Sequence, residues 1–160
     1  YGPHERDYFL MMKSIKRGFD FSVGFRKQLL TFIYVEDLAC AVCDALEKGA
    51  LRKAYFISED RGYTQAEFRA IVAKELKKSF VIPVACPMWM VRIVSWVAEQ
   101  IGKAKMQPST LNGDKYKIMK QRNWLCDVSA AKSDFGFNPR HDLEAGVRKA
   151  IEWYRQVGWL

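Results

Sequence analysis

At 160 residues, 49% of them hydrophobic and 28% charged, the chain is long enough for one globular domain with a real core and too apolar for a disordered one. No apolar run approaches the roughly 18 residues that cross a bilayer, and the four cysteines, at 40, 43, 86 and 126, impose no disulfide framework and suit free thiols in a reducing cytoplasm. The net charge of +8 is dispersed, through Lys77, Lys78, Lys103, Lys105, Lys115, Lys117, Lys120 and Arg122, with no groove-reading motif; this argues against a nucleic-acid binder and leaves a solvated surface or a phosphate-binding patch.

Tyr1-Gly2-Pro3 reads as a strand-exit turn. Its feeding strand is expected upstream, so the chain reads as the C-terminal portion of something larger. The spacing of Phe9, Met12, Ile15 and Lys16 predicts a helix over 8–16, stopped by Gly18. Phe19–Val23 alternates as a short strand, and the polar turn 24–28 leads to a β-branched and aromatic strand over 29–35. Glu36 and Asp37 open a helix to Lys48, with Asp37 placed to cap it. Residues 54–58 form another strand, and Thr64-Gln65-Ala66-Glu67 is a capping box for a helix carrying Phe68, Ile71, Val72 and Leu76. A strand over 80–84 carries Pro83, which favours a sheet edge; Pro87 begins a helix stopped by Gly102, and a further helix is expected over 110–120. A strand over 124–128 precedes a turn of helix capped by Ser129. The last helix bears a stripe of Leu143, Val147, Ala150, Ile151 and Tyr154.

Four segments, in this order, resemble the C-terminal part of the extended short-chain dehydrogenase/reductase family, the NAD-dependent epimerase/dehydratases. Tyr1-Gly2-Pro3 resembles the end of its V-Y-G-P strand. Residues 32–39, Phe-Ile-Tyr-Val-Glu-Asp-Leu-Ala, are similar to F-x-Y-V-D-D-V-A. Residues 54–58 and 63–67 look like the seventh sheet strand and the helix after it. Asp127-Val128-Ser129-Ala130-Ala131-Lys132, Phe135-Gly136-Phe137-Asn138-Pro139, Leu143-Glu144-Ala145-Gly146 and Trp153-Tyr154 resemble the family's ending. The resemblance implies a mixed α/β fold: residues 1–160 are one substrate-binding region whose strands help complete a Rossmann sheet. The glycine-rich turn and the Tyr-x-x-x-Lys pair would lie on the N-terminal side. Neither motif occurs in this chain, so no catalytic residue is assigned here, and the chain alone is expected to be inactive and to hold no cofactor tightly.

The resemblance further implies NAD or NADP as cofactor of the intact enzyme. The loop after Tyr1 would lie by the nicotinamide and the substrate mouth, making Tyr1 and His4 candidate cofactor contacts and Arg6 a candidate substrate contact. The family's nucleotide-sugar enzymes often set an Arg two residues before the Phe of F-x-Y-V; here that place holds Leu30, with Arg26 nearby. Arg26 and Arg122 are therefore candidates for a substrate phosphate, and Trp89, in an apolar run from Pro87 to Ala98, for a pocket wall. That run reads as buried in the intact enzyme or against a second copy, as a wall of an apolar substrate pocket, or as a membrane-surface contact.

Cys40-x-x-Cys43 falls within a helix rather than at a redox-type turn, and no metal site is assigned. The expected small-molecule substrate is a nucleotide-sugar; a steroid-like or flavonoid-like apolar alcohol or ketone is the alternative, and a non-catalytic dinucleotide sensor a third reading. The expected partners are the N-terminal Rossmann domain and a second copy of the chain.

Overall fold

The computed structural model describes residues 1–104, 113–121 and 123–160. Three helices enclose the main core. Helix α1 (Arg6–Lys16) begins where the Glu5 carboxylate accepts the Asp7 and Tyr8 amides at 2.8 and 2.6 Å, two residues before the predicted start. Helix α3 (Gln65–Glu75) begins with the expected capping box: the Glu67 amide donates to Thr64 Oγ1 at 3.2 Å, and the Thr64 amide donates to Glu67 Oε2 at 2.8 Å. Helix α7 (Leu143–Gln156) is capped by Asp142, which accepts the Ala145 amide at 2.8 Å. Its predicted stripe, Leu143, Val147, Ala150, Ile151 and Tyr154, is 0–1% exposed and meets Met12 and Ile15 of α1 and Phe68 and Val72 of α3. Burial at this level contributes roughly 1.5–3 kcal/mol for each large aliphatic side chain.

A second, smaller core lies between α2 (Val35–Lys48) and α6 (Ser129–Phe135), built from Ala41, Val128, Ala131, Phe135 and Phe137. Two small sheets accompany the helices. β1 (Phe19–Val23) pairs in parallel with β4 (Ile82–Cys86), from Phe19 opposite Ile82 to Val23 opposite Cys86. β2 (Leu29–Leu30) is flanked by β3 (Tyr63–Thr64), antiparallel, and β5 (Asn123–Trp124), parallel. Among the described residues β4 has β1 on one side only, which accommodates the missing N–H of Pro83. Helix α4 (Met88–Ala104) packs against α5 (Gly113–Met119).

Several predicted elements are shorter or displaced, because a strand needs a partner as well as propensity. The strand expected over 29–35 is confined to Leu29–Leu30. Beyond it the chain stays extended beside Tyr1: the Tyr1 ammonium donates to the Ile33 carbonyl and the Val35 amide to the Tyr1 carbonyl, both at 2.9 Å. Residues 54–58 join no ladder among the described residues. The strands expected at 80–84 and 124–128 lie at Ile82–Cys86 and Asn123–Trp124. Gly102 does not stop α4, which continues to Ala104, and the helix expected over 110–120 is Gly113–Met119 among the described residues. Two caps also differ. Tyr34, not Asp37, precedes α2, and Val128, not Ser129, precedes α6, where Asp127 accepts the Ser129 amide at 2.9 Å.

The Tyr154 hydroxyl lies 2.9 Å from both the Gly2 and the Glu5 carbonyl oxygens, anchoring the first residues to the buried face of α7. Tyr154→Phe removes the donor and leaves those carbonyls without it. The expected loss is about 1–2 kcal/mol of unfolding free energy, measured by urea denaturation; an unchanged midpoint would show that the anchor is idle.

Candidate functional site

The loop 24–28 is the natural centre of a site, because β1 must turn sharply there to reach β2. Gly24 makes the turn with φ +74°, and its amide donates to the Cys86 carbonyl at 2.8 Å, closing the end of the β1–β4 pair. Gln28 then fixes the far side of the loop. Its side-chain amide donates to the Met119 carbonyl at 3.2 Å and the Gln121 carbonyl at 2.6 Å, tying the loop to the end of α5. The Leu29 amide and the Thr31 hydroxyl continue the seam, to Asn123 Oδ1 at 3.2 Å and the Trp124 carbonyl at 3.0 Å.

Three adjoining cavities surround this loop and share Val23 and Gln28. One, of about 460 Å³, has Arg26, Lys120, Phe25 and Trp89 on its walls. A second, of about 490 Å³, is bounded largely by apolar side chains, among them Met11, Phe21, Leu30, Ile118 and Trp124. The third, of about 340 Å³, reaches Arg69 and the start of α3. A cleft with cations and an indole at one end and apolar walls at the other suits a ligand that is anionic in one part and flat or apolar in another.

The structure thus brings Arg26 and Trp89 together in the lining of one cavity. Tyr1, His4 and Arg6 line none of these three cavities. The Tyr1 ring is enclosed by Tyr8, Phe32 and Tyr34, with centroids 6.0, 5.9 and 5.7 Å away, and burial pushes its hydroxyl's pKa strongly upward. His4 is exposed, with φ +66°, its ring centroid 4.4 Å from that of Trp153. Arg6 is exposed on the first turn of α1. Arg122 lies outside the described residues. Sequence reading missed Gln28 and Lys120 as wall residues; the signal for Gln28 was its place in a polar turn closed by Gly24, and for Lys120 its place among the dispersed lysines. Cys40 and Cys43 are free thiols exposed on α2.

Three buried carboxylates hold parts of the frame together. Asp20 of β1 accepts from Gln65 at 2.8 Å and Arg69 at 3.1 Å, fixing β1 to the start of α3. Asp37 of α2 accepts the His141 amide at 2.9 Å and faces His141 Nδ1 at 3.0 Å, fixing α2 to the segment entering α7. Glu59 accepts from the Tyr63 hydroxyl at 2.9 Å. Its pKa is raised to about 7, chiefly by burial, although the Tyr63 hydroxyl and the Leu143 amide pull it down.

No protein-family model matches the chain. A curated relative, the uncharacterized protein y4nL of Sinorhizobium fredii, is 22% identical over 157 residues, which are 96% of this chain and 44% of the relative. Among solved structures, that of gox2253 matches with a TM-score of 0.66 and 21% identity, over 98% of this chain and 47% of the other. A UDP-glucose 4-epimerase from Thermotoga maritima, solved with UDP-glucose, matches with a TM-score of 0.66 and 19% identity, over 98% and 43% of the two chains. A UDP-glucuronic acid 4-epimerase from Bacillus cereus, solved with NAD, matches with a TM-score of 0.66 and 15% identity, over 98% and 42%. The chain therefore has the mixed α/β fold of part of these epimerase structures, as the sequence resemblance implied, and spans less than half the length of each.

Glu59 makes stability pH-dependent. Its carboxyl titrates near 7 when folded and near 4.5 when unfolded, so between those values the folded chain holds the extra proton. Stability contributed by this group is complete below about pH 4.5 and falls as pH rises through about 7, by roughly 2–3 kcal/mol in all. Glu59→Gln is expected to flatten that slope between pH 5 and 8 in urea titrations read by tryptophan emission; an unaltered slope would locate the titration elsewhere.

Proposed function

We propose that this chain is the substrate-binding portion of an NAD(P)-dependent enzyme acting on a nucleotide-sugar, an epimerase or dehydratase. The observation that carries the reading is the wall shared by Arg26, Lys120, Phe25 and Trp89 beside the 24–28 loop. Two cations within one cavity suit a diphosphate, and the aromatic rings beside them offer faces for a base to stack on. The likeness in fold to epimerases solved with UDP-glucose and with NAD supports the same reading.

In this proposal the nicotinamide cofactor supplies a hydride acceptor and donor for a hydroxyl-bearing carbon of the substrate. The chain's own part is to bind and orient. Gln28 holds the loop against α5, Arg26 and Lys120 draw in the diphosphate, and the apolar cavity beyond them keeps water from the ring being turned over. Tyr1, walled in by aromatic rings, supports the packing of that frame, and the His4 ring packs on Trp153. The dinucleotide itself would be held by an N-terminal Rossmann portion. The exposed apolar stripe of α2, Val35, Leu38, Val42 and Leu46, and the unladdered segment 54–58 with exposed Phe56 supply surfaces for that portion to cover.

A second reading is an oxidoreductase on an apolar alcohol or ketone. It is favoured by Leu30, which lines the apolar cavity where a nucleotide-sugar enzyme often places an arginine.

Titration of the full-length protein with UDP, followed by emission from Trp89 and Trp124, separates the two. Saturable quenching is expected, and Arg26→Ala or Lys120→Ala is each expected to weaken binding about tenfold, the loss of one charged hydrogen bond. Emission that ignores UDP but responds to a steroid ketone would transfer the assignment to the second reading.

A further inference from the structure

Helix α4 wears its amphipathic pattern inside out. Ser95 is buried and Met88, Val91 and Ala98 are partly covered, while Trp89, Met90, Ile93, Val94, Trp96 and Val97 stand 41–63% exposed. A helix on a soluble surface turns its apolar stripe inward, so a large apolar stripe facing outward calls for a partner.

We propose that the outer face of α4 docks on an anionic lipid surface, with the helix lying in the plane of the interface. Geometry comes first. Seventeen residues make a helix about 25 Å long, short of the roughly 30 Å hydrocarbon layer, and no described helix is long and apolar enough to cross a membrane. Lying flat, α4 offers a face of indole, aliphatic and thioether groups to the boundary between headgroups and acyl chains, the level that tryptophan favours.

Charge selects the occupant. Within α4 the sequence holds Arg92, exposed beside the apolar stripe, and Lys103, against one acidic residue, Glu99. The chain as a whole carries +8. Anionic headgroups complement that array. A second copy would bring another +8 chain, with its own Arg92, against it. The other exposed apolar stripe, on α2, is flanked by Glu36, Asp44 and Glu47 and has the wrong sign for the same surface.

Flotation of the full-length protein with vesicles tests this. Binding is expected to phosphatidylcholine vesicles containing phosphatidylglycerol, at least tenfold weaker to phosphatidylcholine alone, and reduced by salt. Arg92→Glu is expected to lower the affinity about tenfold. Replacing Ile93, Trp96 and Val97 together by Ser removes binding while leaving the circular-dichroism melt in place, because these side chains are exposed. Wild-type protein that fails to float overturns the proposal, as does equal flotation of the triple variant. Failure to float with a concentration-dependent dimer that the triple variant abolishes gives the face to a second copy. Flotation of the 160-residue chain but not of the full-length protein gives it to the remainder of the polypeptide.

Discussion

The close approach of Tyr1 to Gly146 sets much of the architecture. A Cβ at position 146 would lie 2.2 Å from the Tyr1 hydroxyl oxygen and 2.8 Å from its ring, so α7 carries a glycine in a buried turn where alanine would be the better helix former. That helical penalty of roughly 0.5–1 kcal/mol admits an aromatic ring between the helix and the extended segment before α2. From that position Tyr1 reaches the Asp142 carbonyl through its hydroxyl, bonds Ile33 and Val35 through its backbone, and meets Tyr8, Phe32 and Tyr34 through its ring. One residue thereby registers α1, α2 and α7 against each other.

The buried carboxylates extend the same logic outward. Two of them join elements distant in sequence through charged or strongly polar hydrogen bonds, Asp20 to Gln65 and Arg69 and Asp37 to His141, while Glu59 holds the nearby Tyr63. Such groups are costly to bury unless fully partnered, and so they specify which elements meet more sharply than apolar contacts do. The first of them places β1, and with it the 24–28 loop, at a defined height above α3.

Much of this was legible in the chain. The stripe on α7, the Thr64–Glu67 box and the strand 19–23 follow from local periodicity and capping chemistry, which need no distant partner. The pairing of Arg26 with Trp89 was half legible: each stood out alone, but only the turn at Gly24 and the parallel register of β1 with β4 set them on one wall. Asp37 misled because a carboxylate in a first helical turn usually serves its own helix. Here the His141 amide and ring, more than a hundred residues away in sequence, claim both its oxygens. The strands at 29–35 and 54–58 misled because β-branched and aromatic composition reports a taste for sheets, not the presence of a neighbour to pair with.

The two hydrogen bonds that the Gln28 side-chain amide donates to the Met119 and Gln121 carbonyls tie the cleft loop to the end of α5. Since α5 packs on α4, a shift of α5 would be passed to the loop that carries Arg26. The cleft's width and the placement of α5 would then be one coordinate read at two places. Whatever steadies α5 from outside would then change the grip within, and by reciprocity a ligand in the grip would steady α5 by the same free energy.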